Sequence, residues 1–353
     1  ISLGLKHVSI SSLNPPKHLL RDVSAYVAKG GITAVMGPSS SGKSLLMKYL
    51  CGRLPTLKST GEVTLDGKPI DPHKPNGFGF VPQEDVLIGD ITVRETLEIA
   101  AELRKDQPVA QSKADVEAMV GTLGITHVKD NVIGTVMRRG LSGGQKRRVS
   151  LGTELVVRPA VAFLDEPTSG LDGTTAFDVI KAIRTFATSS GGDFSVLLSI
   201  HQSSLRIVSL FDHIMFLGRG GCVFFGTLPE AIVHFTDLGH PPPAHQNPSD
   251  FFMQVTDDAF GRAGGKSTDF LQAFATSQLA SSTIGAIDAA KHAREQLAIY
   301  DDDGGDGGAG KSRGTGFWRQ YLTLTRREAI MALRDPTLYY LQFGLHAFYG
   351  FMV

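Results

Sequence analysis

Cysteine is scarce in this chain: Cys51 and Cys222 are the two among 353 residues. Neither has a histidine or a second cysteine at metal-ligand spacing, so neither a disulfide framework nor a zinc site is expected. We predict that both thiols are small core residues of a protein that lives in a reducing compartment.

Net charge is absent as well, because 35 Lys and Arg residues balance 35 Asp and Glu residues. A chain without a basic excess lacks the electrostatic signature of polyanion binding, so nucleic acid is not expected as a partner. The hydrophobic fraction of 42% is typical of a globular protein, and the length allows two or three domains.

The two ends of the chain lack further features. Residue 1 is not Met and no secretory signal follows it, which indicates a fragment or a processed chain. Residues 337–353 contain no charged side chain and are rich in Leu, Phe and Tyr. Since a membrane-spanning helix needs ~20 apolar residues, we predict that residues 336–353 begin a transmembrane helix.

Short apolar runs predict an α/β protein with buried parallel strands, of which 32–36 is the clearest. Helical periodicity replaces these runs between residues 92 and 136, which predicts a small helical subdomain, about 84–145, set into the α/β core. The two runs nearest residue 220 flank a glycine-rich turn and predict a hairpin. Besides 32–36, the strand candidates are 3–10, 19–27, 61–66, 78–81, 161–164, 194–200, 213–217 and 222–225, of which the last two form the predicted hairpin.

Beyond residue 238 the composition changes twice. Residues 239–300 are expected to form a helical extension, whereas 301–316 are largely Asp, Gly and Ser. Such a segment cannot offset its ordering entropy by burial, so we predict a disordered linker. Residues 317–335 place Arg319 and Arg326 among aromatic and aliphatic side chains. A basic amphipathic helix before a spanning segment is expected to lie at the cytosolic membrane surface.

The clearest chemical motif lies between the strand 32–36 and a predicted helix, 44–54. Its backbone N–H groups would converge on phosphate oxygens at a helix N-terminus. Lys43 would reach the β- and γ-phosphates, and the Ser44 hydroxyl would bind Mg²⁺. This phosphate loop consists of Gly37, Pro38, Ser39, Ser40, Ser41, Gly42, Lys43 and Ser44.

An acidic pair follows the predicted strand 161–164. Asp165 is predicted to hold Mg²⁺ through its water shell, and Glu166 to act as the general base on the attacking water. Acids at the end of a strand are often only solvated, and it is the phosphate loop that favours the catalytic interpretation.

A second anion site is predicted at the start of a helix over 146–157. Ser142 is a favourable N-cap, and the glycines after it leave N–H groups exposed to an anion. If the phosphate loop encloses the nucleotide of its own chain, we expect this helix start to close on the γ-phosphate of the nucleotide that a partner chain binds. A plain capped helix is the alternative. The segment consists of Leu141, Ser142, Gly143, Gly144 and Gln145.

Three single residues depend on these motifs for their interpretation. Gln83 follows the strand 78–81, where its amide could bind Mg²⁺ and sense the γ-phosphate. His201 follows the strand 194–200 and could hydrogen-bond the γ-phosphate and the attacking water. Asp172 comes soon after the acidic pair and could meet the partner subunit. A surface residue, a structural histidine and a turn are the respective alternatives.

In this order the motifs resemble an ATP-binding cassette (ABC) nucleotide-binding domain over about residues 1–238, and the LSGGQ segment is the most specific of them. The segments 92–97, 247–251, 318–320 and 334–336 are similar to the G subfamily, the white-type half-transporters. In that subfamily the nucleotide domain precedes the membrane domain.

The resemblance implies a P-loop NTPase core with an antiparallel β subdomain, ATP and Mg²⁺ as cofactors, and a sandwich of two such domains. It assigns Glu166, His201 and Gln83 to catalysis, and Ser44, Gln83 and Asp165 to the metal. Many cassettes carry a base-stacking ring before the phosphate loop, but residues 8–20 of this chain contain no Phe, Tyr or Trp.

The leading hypothesis is ATP-driven export of apolar molecules, such as lipids, sterols, pigments or drugs, by a dimeric membrane protein whose nucleotide domain faces the cytosol. A soluble ATPase acting on nucleic acid or ribosomes would predict a basic surface or a long coiled-coil insertion, and the sequence has neither. A regulatory ATPase without transport is a third possibility. The sequence names neither the cargo nor the choice between homodimer and heterodimer.

Overall fold

The computed structural model describes residues 2–13, 16–74, 77–135, 138–189, 191, 193–201, 203–218, 220–261, 267–300, 315–334 and 336–352. The chain divides into two compact units. Unit 1 comprises Ile1–Gln83 and Arg158–Gly310, and unit 2 comprises Glu84–Val157 and Lys311–Val353.

Unit 1 is built on one sheet of described strands. The strands are β1 Leu3–Leu13, β2 Pro16–Val27, β3 Ile32–Met36, β4 Lys58–Leu65, β5 Lys68–Pro69, β6 Gly79–Val81, β7 Val161–Leu164, β8 Ser195–Ser199, β9 His213–Gly218 and β10 Gly221–Gly226. They follow the order β5-β4-β1-β2-β10-β9-β3-β8-β7-β6. The strands β1 and β2 pair antiparallel, as do β1 and β4, whereas β3, β6, β7, β8 and β9 form a parallel ladder.

The parallel strands are the apolar runs of the sequence. All residues of β3, β7 and β8 are buried, as expected of strands covered on both faces. The predicted fold class, an α/β core with an antiparallel β part, is therefore confirmed. Because β3, β6, β7 and β8 run in the same direction, the segments after their carboxyl ends meet at one edge of the sheet.

The helices are divided between the two units. The described helices are α1 Lys43–Leu50, α2 Val93–Arg104, α3 Val109–Thr122, α4 Gly143–Leu155, α5 Gly173–Ser189, α6 Leu205–Val208, α7 Leu228–Asp237, α8 Pro248–Gly261, α9 Ser267–Ala275, α10 Gln278–Tyr300, α11 Phe317–Arg334 and α12 Pro336–Met352. Unit 2 contains α2, α3, α4, α11 and α12, together with a short 3₁₀ turn at Thr126–Val128.

In unit 2, α2 begins at a complete capping box. The Glu95 N–H donates to Thr92 Oγ1 at 3.2 Å, and the Thr92 N–H donates to Glu95 Oε2 at 2.8 Å, so two backbone donors at the helix start are satisfied. Thr92 is thus the N-cap of α2.

The amphipathic helix α11 packs along α2 within unit 2. Arg334 holds Glu95 through two hydrogen bonds of 2.7 and 2.9 Å, and Arg326 lies 3.5 Å from Glu98 and 3.6 Å from Glu102. The acids recur along α2 at helical spacing, so they share one face of that helix. The arginines that the sequence places among apolar residues therefore pair with acidic partners.

Large side chains of the apolar helix α12 are exposed, among them Tyr340, Phe343 and Phe351. None of the helices in the described ranges has both the length and the apolar character needed to cross a membrane.

The predicted linker, 301–316, falls mostly outside the described residues, since only its last two lie within them. Thr315 is 3% exposed, and its hydroxyl donates to the Glu102 carbonyl at 2.8 Å. Thr315 is therefore packed against α2.

Candidate functional site

The loop between β3 and α1 brings the backbone close to its neighbours at two glycines. A side chain at Gly37 would bring its Cβ within 2.2 Å of the Leu217 carbonyl oxygen. Gly42 has a φ of 102°, and a Cβ there would lie 2.8 Å from a methyl group of Leu20. Both positions therefore require glycine, and the loop wraps the N-terminus of α1 as a phosphate cradle does.

Lys43 closes this loop from within. Its side chain is buried, and Nζ donates to the carbonyl oxygens of Gly37 at 2.8 Å and Pro38 at 2.9 Å. Burial lowers the pKa of the ammonium, and the carboxylates of Glu166 and Asp165 act against that shift. The positive charge is thus held inside the loop, where incoming phosphate oxygens would replace the two carbonyls.

The rest of the loop divides into an exposed and a buried part. Ser39 and Ser40 are exposed, whereas Ser41 is buried and its hydroxyl has no hydrogen-bond partner among the described residues. Such an unpaired buried hydroxyl is uncommon, because leaving it without a partner costs about 1–3 kcal/mol. A hydroxyl inside a phosphate cradle fits a loop that binds an oxygen-rich ligand.

A hydroxyl–carboxylate network lies beside the loop, at the carboxyl ends of β7 and β8. The Ser44 hydroxyl donates to Asp165 Oδ1 at 2.9 Å, and the Ser199 hydroxyl donates to the same oxygen at 2.7 Å. The Glu166 N–H in turn donates to Ser199 Oγ at 2.8 Å. The structure thus brings together the predicted metal residues Ser44 and Asp165, and Ser199 joins them to Glu166.

Glu166 lies next to Gln83 at this edge of the sheet. Gln83 Nε2 donates to Glu166 Oε2 at 3.0 Å, although the two residues are far apart in the chain. Glu166 has a φ of 45°, an uncommon backbone conformation for a residue with a side chain. Strain of this kind concentrates at functional sites, where the surrounding structure holds the residue in place.

His201 faces the phosphate loop from the end of β8. Its Nε2 lies 3.4 Å from the Ser39 hydroxyl. The predicted partners of one nucleotide, namely the loop, Gln83, the acidic pair and His201, are therefore neighbours within unit 1.

The donor set at this edge fits Mg²⁺. Ser44 and Asp165 offer hard oxygen ligands, and the two oxygens lie 2.9 Å apart. Magnesium is normally bound through one or two carboxylates together with phosphate oxygens rather than by a dedicated protein cage. No group of three or more His, Cys, Asp or Glu residues that could hold a metal occurs in the described part of the chain.

The second predicted anion site, Leu141 to Gln145, belongs to unit 2. Ser142 is the N-cap of α4 and forms a capping box with Gln145, in which the Ser142 N–H donates to Gln145 Oε1 at 3.0 Å. Leu141 is buried, whereas a Cβ at Gly143 would meet nothing within 4 Å. The glycine helix start is therefore open, and an anion could approach its N–H groups.

Asp172 makes contacts within its own chain. Its Oδ1 accepts hydrogen bonds from the N–H groups of Thr174 and Thr175, both at 3.1 Å, so it caps α5. The Thr175 side chain and these N–H groups lower the pKa of its carboxyl. This exposed cap is compatible with the predicted contact to a partner subunit but does not require it.

Ser199 is the residue of the network that the sequence analysis missed. It is the last residue of β8, and it is completely buried. The available signal was a serine that directly follows the apolar residues of a strand and comes two residues before a histidine. The sequence pattern did not show that the end of β8 would contact both the Asp165 carboxylate and the Glu166 backbone.

Comparison with known proteins gives one family. The family model described as ABC transporter matches residues 20–169. ABC transporter G family member 22 of Arabidopsis thaliana is 38% identical over 68% of this chain and 32% of its own length. ABC transporter G family member 5 of Oryza sativa subsp. japonica is 40% identical over 67% of this chain and 30% of its own length.

A relative from Dictyostelium discoideum extends the similarity to nearly the whole chain. ABC transporter G family member 22 of that organism is 32% identical over 98% of this chain and 55% of its own length. The chain thus spans between about a third and just over half of the length of these curated relatives.

Proposed function

The chain belongs to the ABC transporter family, in its G subfamily, and on that premise we propose that it binds ATP with Mg²⁺ and hydrolyses it to drive export across a membrane. The observation that carries the proposal is the network at the edge of the sheet, in which Ser44, Asp165, Ser199 and Glu166 are linked by hydrogen bonds of 2.7 to 2.9 Å. Gln83 and the phosphate loop adjoin it.

Each side chain of this site has a role that its position supports. Lys43 neutralises charge on the β- and γ-phosphates, and the loop N–H groups orient them. Glu166 aligns the attacking water and accepts its proton, while Gln83 holds the Glu166 carboxylate in place. His201 donates a hydrogen bond to the γ-phosphate. When bound at Ser44 and Asp165, Mg²⁺ would neutralise the charge that develops on the phosphate oxygens.

The site is completed by a second nucleotide-binding domain. The Leu141 to Gln145 segment presents N–H groups at the start of α4, and a partner's triphosphate would meet them there. The open space at Gly143 supports this role, because a partner's phosphate can approach without displacing protein atoms. ATP binding would then join two domains, and hydrolysis would release them.

Coupling to the membrane runs through α2 and α11. The arginines of α11 fix it to the acidic face of α2, which leaves Phe317, Trp318, Tyr321 and Leu322 exposed. Exposed aromatic side chains beside a basic helix face fit a helix that lies at the cytosolic membrane surface. We propose that closure of the nucleotide sites moves α11 and the membrane helices that follow it.

The cargo is proposed to be apolar, such as a lipid, sterol, pigment or drug, because it would leave through a membrane domain. An ATPase that acts on nucleic acid or ribosomes is not favoured, since 35 basic residues balance 35 acidic ones.

Replacement of Glu166 tests the proposal. We expect Glu166→Gln in the complete protein to bind ATP with unchanged affinity and to lose turnover by about 10²–10³-fold, because the amide cannot accept the water proton. Nucleotide binding and phosphate release would be measured in parallel. Glu295→Gln, an exposed carboxylate-to-amide change on α10, is the matched control. Normal turnover in Glu166→Gln would remove this residue from the mechanism.

A further inference from the structure

The Asn247 side chain caps α8 with its amide oxygen. Asn247 Oδ1 accepts from the Ser249 N–H at 3.3 Å and from the Ser249 hydroxyl at 3.0 Å, and the Phe251 N–H donates to the Asn247 carbonyl at 3.0 Å. A side-chain oxygen at this position satisfies a donor at the helix start that would otherwise be unpaired. The amide oxygen therefore accounts only for the start of α8.

The amide nitrogen of Asn247 reaches the edge of the sheet at which the predicted nucleotide-binding residues lie. Asn247 Nδ2 donates to the Ser203 carbonyl at 2.5 Å and to Asp250 Oδ2 at 3.2 Å. Ser203 comes two residues after His201 in the chain, so the hydrogen bond fixes a backbone group close to the histidine. Burial raises the pKa of Asp250, while Asn247, the Ser203 N–H and the charge of His201 lower it. Burial prevails, so the pKa of the Asp250 carboxyl is raised.

The start of α8 is a rigid support for this contact. Phe252 is completely buried, stacks on Phe235 with ring centroids 4.3 Å apart, and meets Phe216 edge-to-face at 6.0 Å. Phe216 belongs to β9, next to β3 in the sheet. A well-packed aromatic cluster of this kind fixes the position of the helix to which it belongs.

We propose that Asn247 and Asp250 are positioning residues of the ATPase, which hold the Ser203 backbone and thereby keep the nearby His201 imidazole facing Ser39 and the γ-phosphate. The inference rests on the proposed function and names a part of the site outside the phosphate loop, the acidic pair and the Leu141 to Gln145 segment. Asn247 anchors the Ser203 backbone from α8, and Asp250 accepts from the same amide nitrogen and holds it in place.

Asparagine is suited to this task because its amide both accepts and donates. An oxygen alone would cap α8, but it could not donate to the Ser203 carbonyl. Serine is a comparable N-cap whose side chain is too short to reach that carbonyl. Asn247→Ser therefore removes the connection to the loop while keeping a helix cap.

The test compares Asn247→Ser in two backgrounds of the complete protein. In the wild-type background we expect kcat to fall about tenfold with KM for ATP nearly unchanged, because a displaced histidine acts only on the reacting phosphate. In the His201→Ala background the same change should have no further effect, since the residue through which it acts is gone. Single-turnover hydrolysis of labelled ATP measures the slow variants. Asp250→Asn, which keeps the shape and removes the charge, should give a smaller loss in kcat with the same dependence on His201.

Two control variants, Thr227→Ala and Glu166→Gln, separate this proposal from a general loss of stability and from failure of the proposed function. Thr227→Ala removes a comparable N-cap from α7 in the same unit, and it should lower the melting temperature without changing kcat. Equal losses of kcat from Asn247→Ser with and without His201 would overturn the proposal, as would unchanged kcat in the wild-type background. Normal turnover in Glu166→Gln, measured alongside, would instead contradict the proposed function.

Discussion

At the scale of single residues, chemical identity was predictable and mutual contact was not. Lys43, Ser44, Asp165 and Glu166 belong to motifs whose composition already indicates phosphate and metal chemistry. Ser199 carries no such indication in the sequence. Its role follows from two hydrogen bonds, one to Asp165 and one from Glu166, that exist because β7 and β8 are neighbours.

This arrangement gives a prediction for Ser199→Ala. The change removes a buried hydroxyl that both donates and accepts, so we expect a loss of about 1–3 kcal/mol in the free energy of unfolding. We also expect a several-fold higher Mg²⁺ concentration for half-maximal ATPase activity, because Asp165 loses its second hydroxyl partner.

Ser195→Ala is the control, because Ser195 is equally buried at the other end of β8 and its hydroxyl accepts from the Gly30 N–H at 3.3 Å. It should lower stability and leave the Mg²⁺ dependence unchanged. The same shift in both variants would mean that Ser199 acts only through stability.

Asp212 provides a pH dependence at the same scale. Its carboxylate pairs with the Arg184 guanidinium and accepts from the Ile32 N–H at 2.7 Å, at the start of β3. Burial raises the pKa of Asp212, but these partners outweigh it and keep the pKa below its usual range. A lowered carboxyl pKa stabilises the fold above the unfolded pKa of about 3.9 and loses that contribution as the pH falls through the folded value.

We therefore expect Asp212→Asn to lower the free energy of unfolding by about 1–2 kcal/mol at pH 7, with the difference from wild type shrinking below about pH 4. Urea unfolding at several pH values measures it. Asp193→Asn, at an exposed site of the same unit, should differ little from wild type at any pH. A deficit that stays constant down to pH 3 would show that the ion pair is not its source.

At the scale of elements, periodicity located the helices and strands, and local chemistry set their ends. The helix predicted over 44–54 ends at Leu50 instead, so that prediction was wrong at its C-terminus. Gly52 has a φ of 70°, its N–H donates to the Tyr49 carbonyl, and the Arg53 N–H donates to the Lys48 carbonyl. This is a Schellman motif, which ends a helix irrespective of the apolar residue that follows.

The pairing of α11 with α2 gives a prediction at this scale. Arg334 holds the Glu95 carboxylate with two hydrogen bonds and also donates to the Asp90 carbonyl at 3.2 Å. The Arg334 guanidinium is the main reason why the pKa of Glu95 is lowered. Arg334→Ala should therefore loosen α11, and we expect its amides to exchange with solvent about tenfold faster.

Arg327→Ala is the matched variant, because Arg327 on the same helix bonds to its neighbour Glu328. Its exchange rates should stay near wild type in hydrogen–deuterium exchange. Equal acceleration by both substitutions would point to helix propensity rather than to the contact with α2.

At the scale of the whole molecule, the proposed site needs two chains, and mixed variants can test this requirement. Lys43→Ala disables the phosphate loop. Gly143→Asp fits its own unit, since a Cβ there meets nothing within 4 Å, but it places a negative charge where a partner's phosphate would bind. Each variant alone should be inactive.

An equimolar mixture should recover about a quarter of wild-type activity, because half of the random pairs contain one intact site out of two. Phosphate release from the co-expressed or exchanged complete proteins measures the recovery. A mixture as inactive as its components, with pairing verified by differential tags, would contradict a site shared between chains.

The amino-acid sequence is enough to indicate which chemistry this protein carries. Phosphate binding, the acidic pair, the glycine helix start and the order of helices and strands all depend on residues close together in the chain, whose spacing and backbone preferences act locally. Tertiary structure alone decided which distant groups meet: Ser199 with Asp165, Asn247 with Ser203, Arg334 with Glu95. Such contacts follow from the packing of whole strands and helices, and a local pattern contains no information about which element becomes its neighbour.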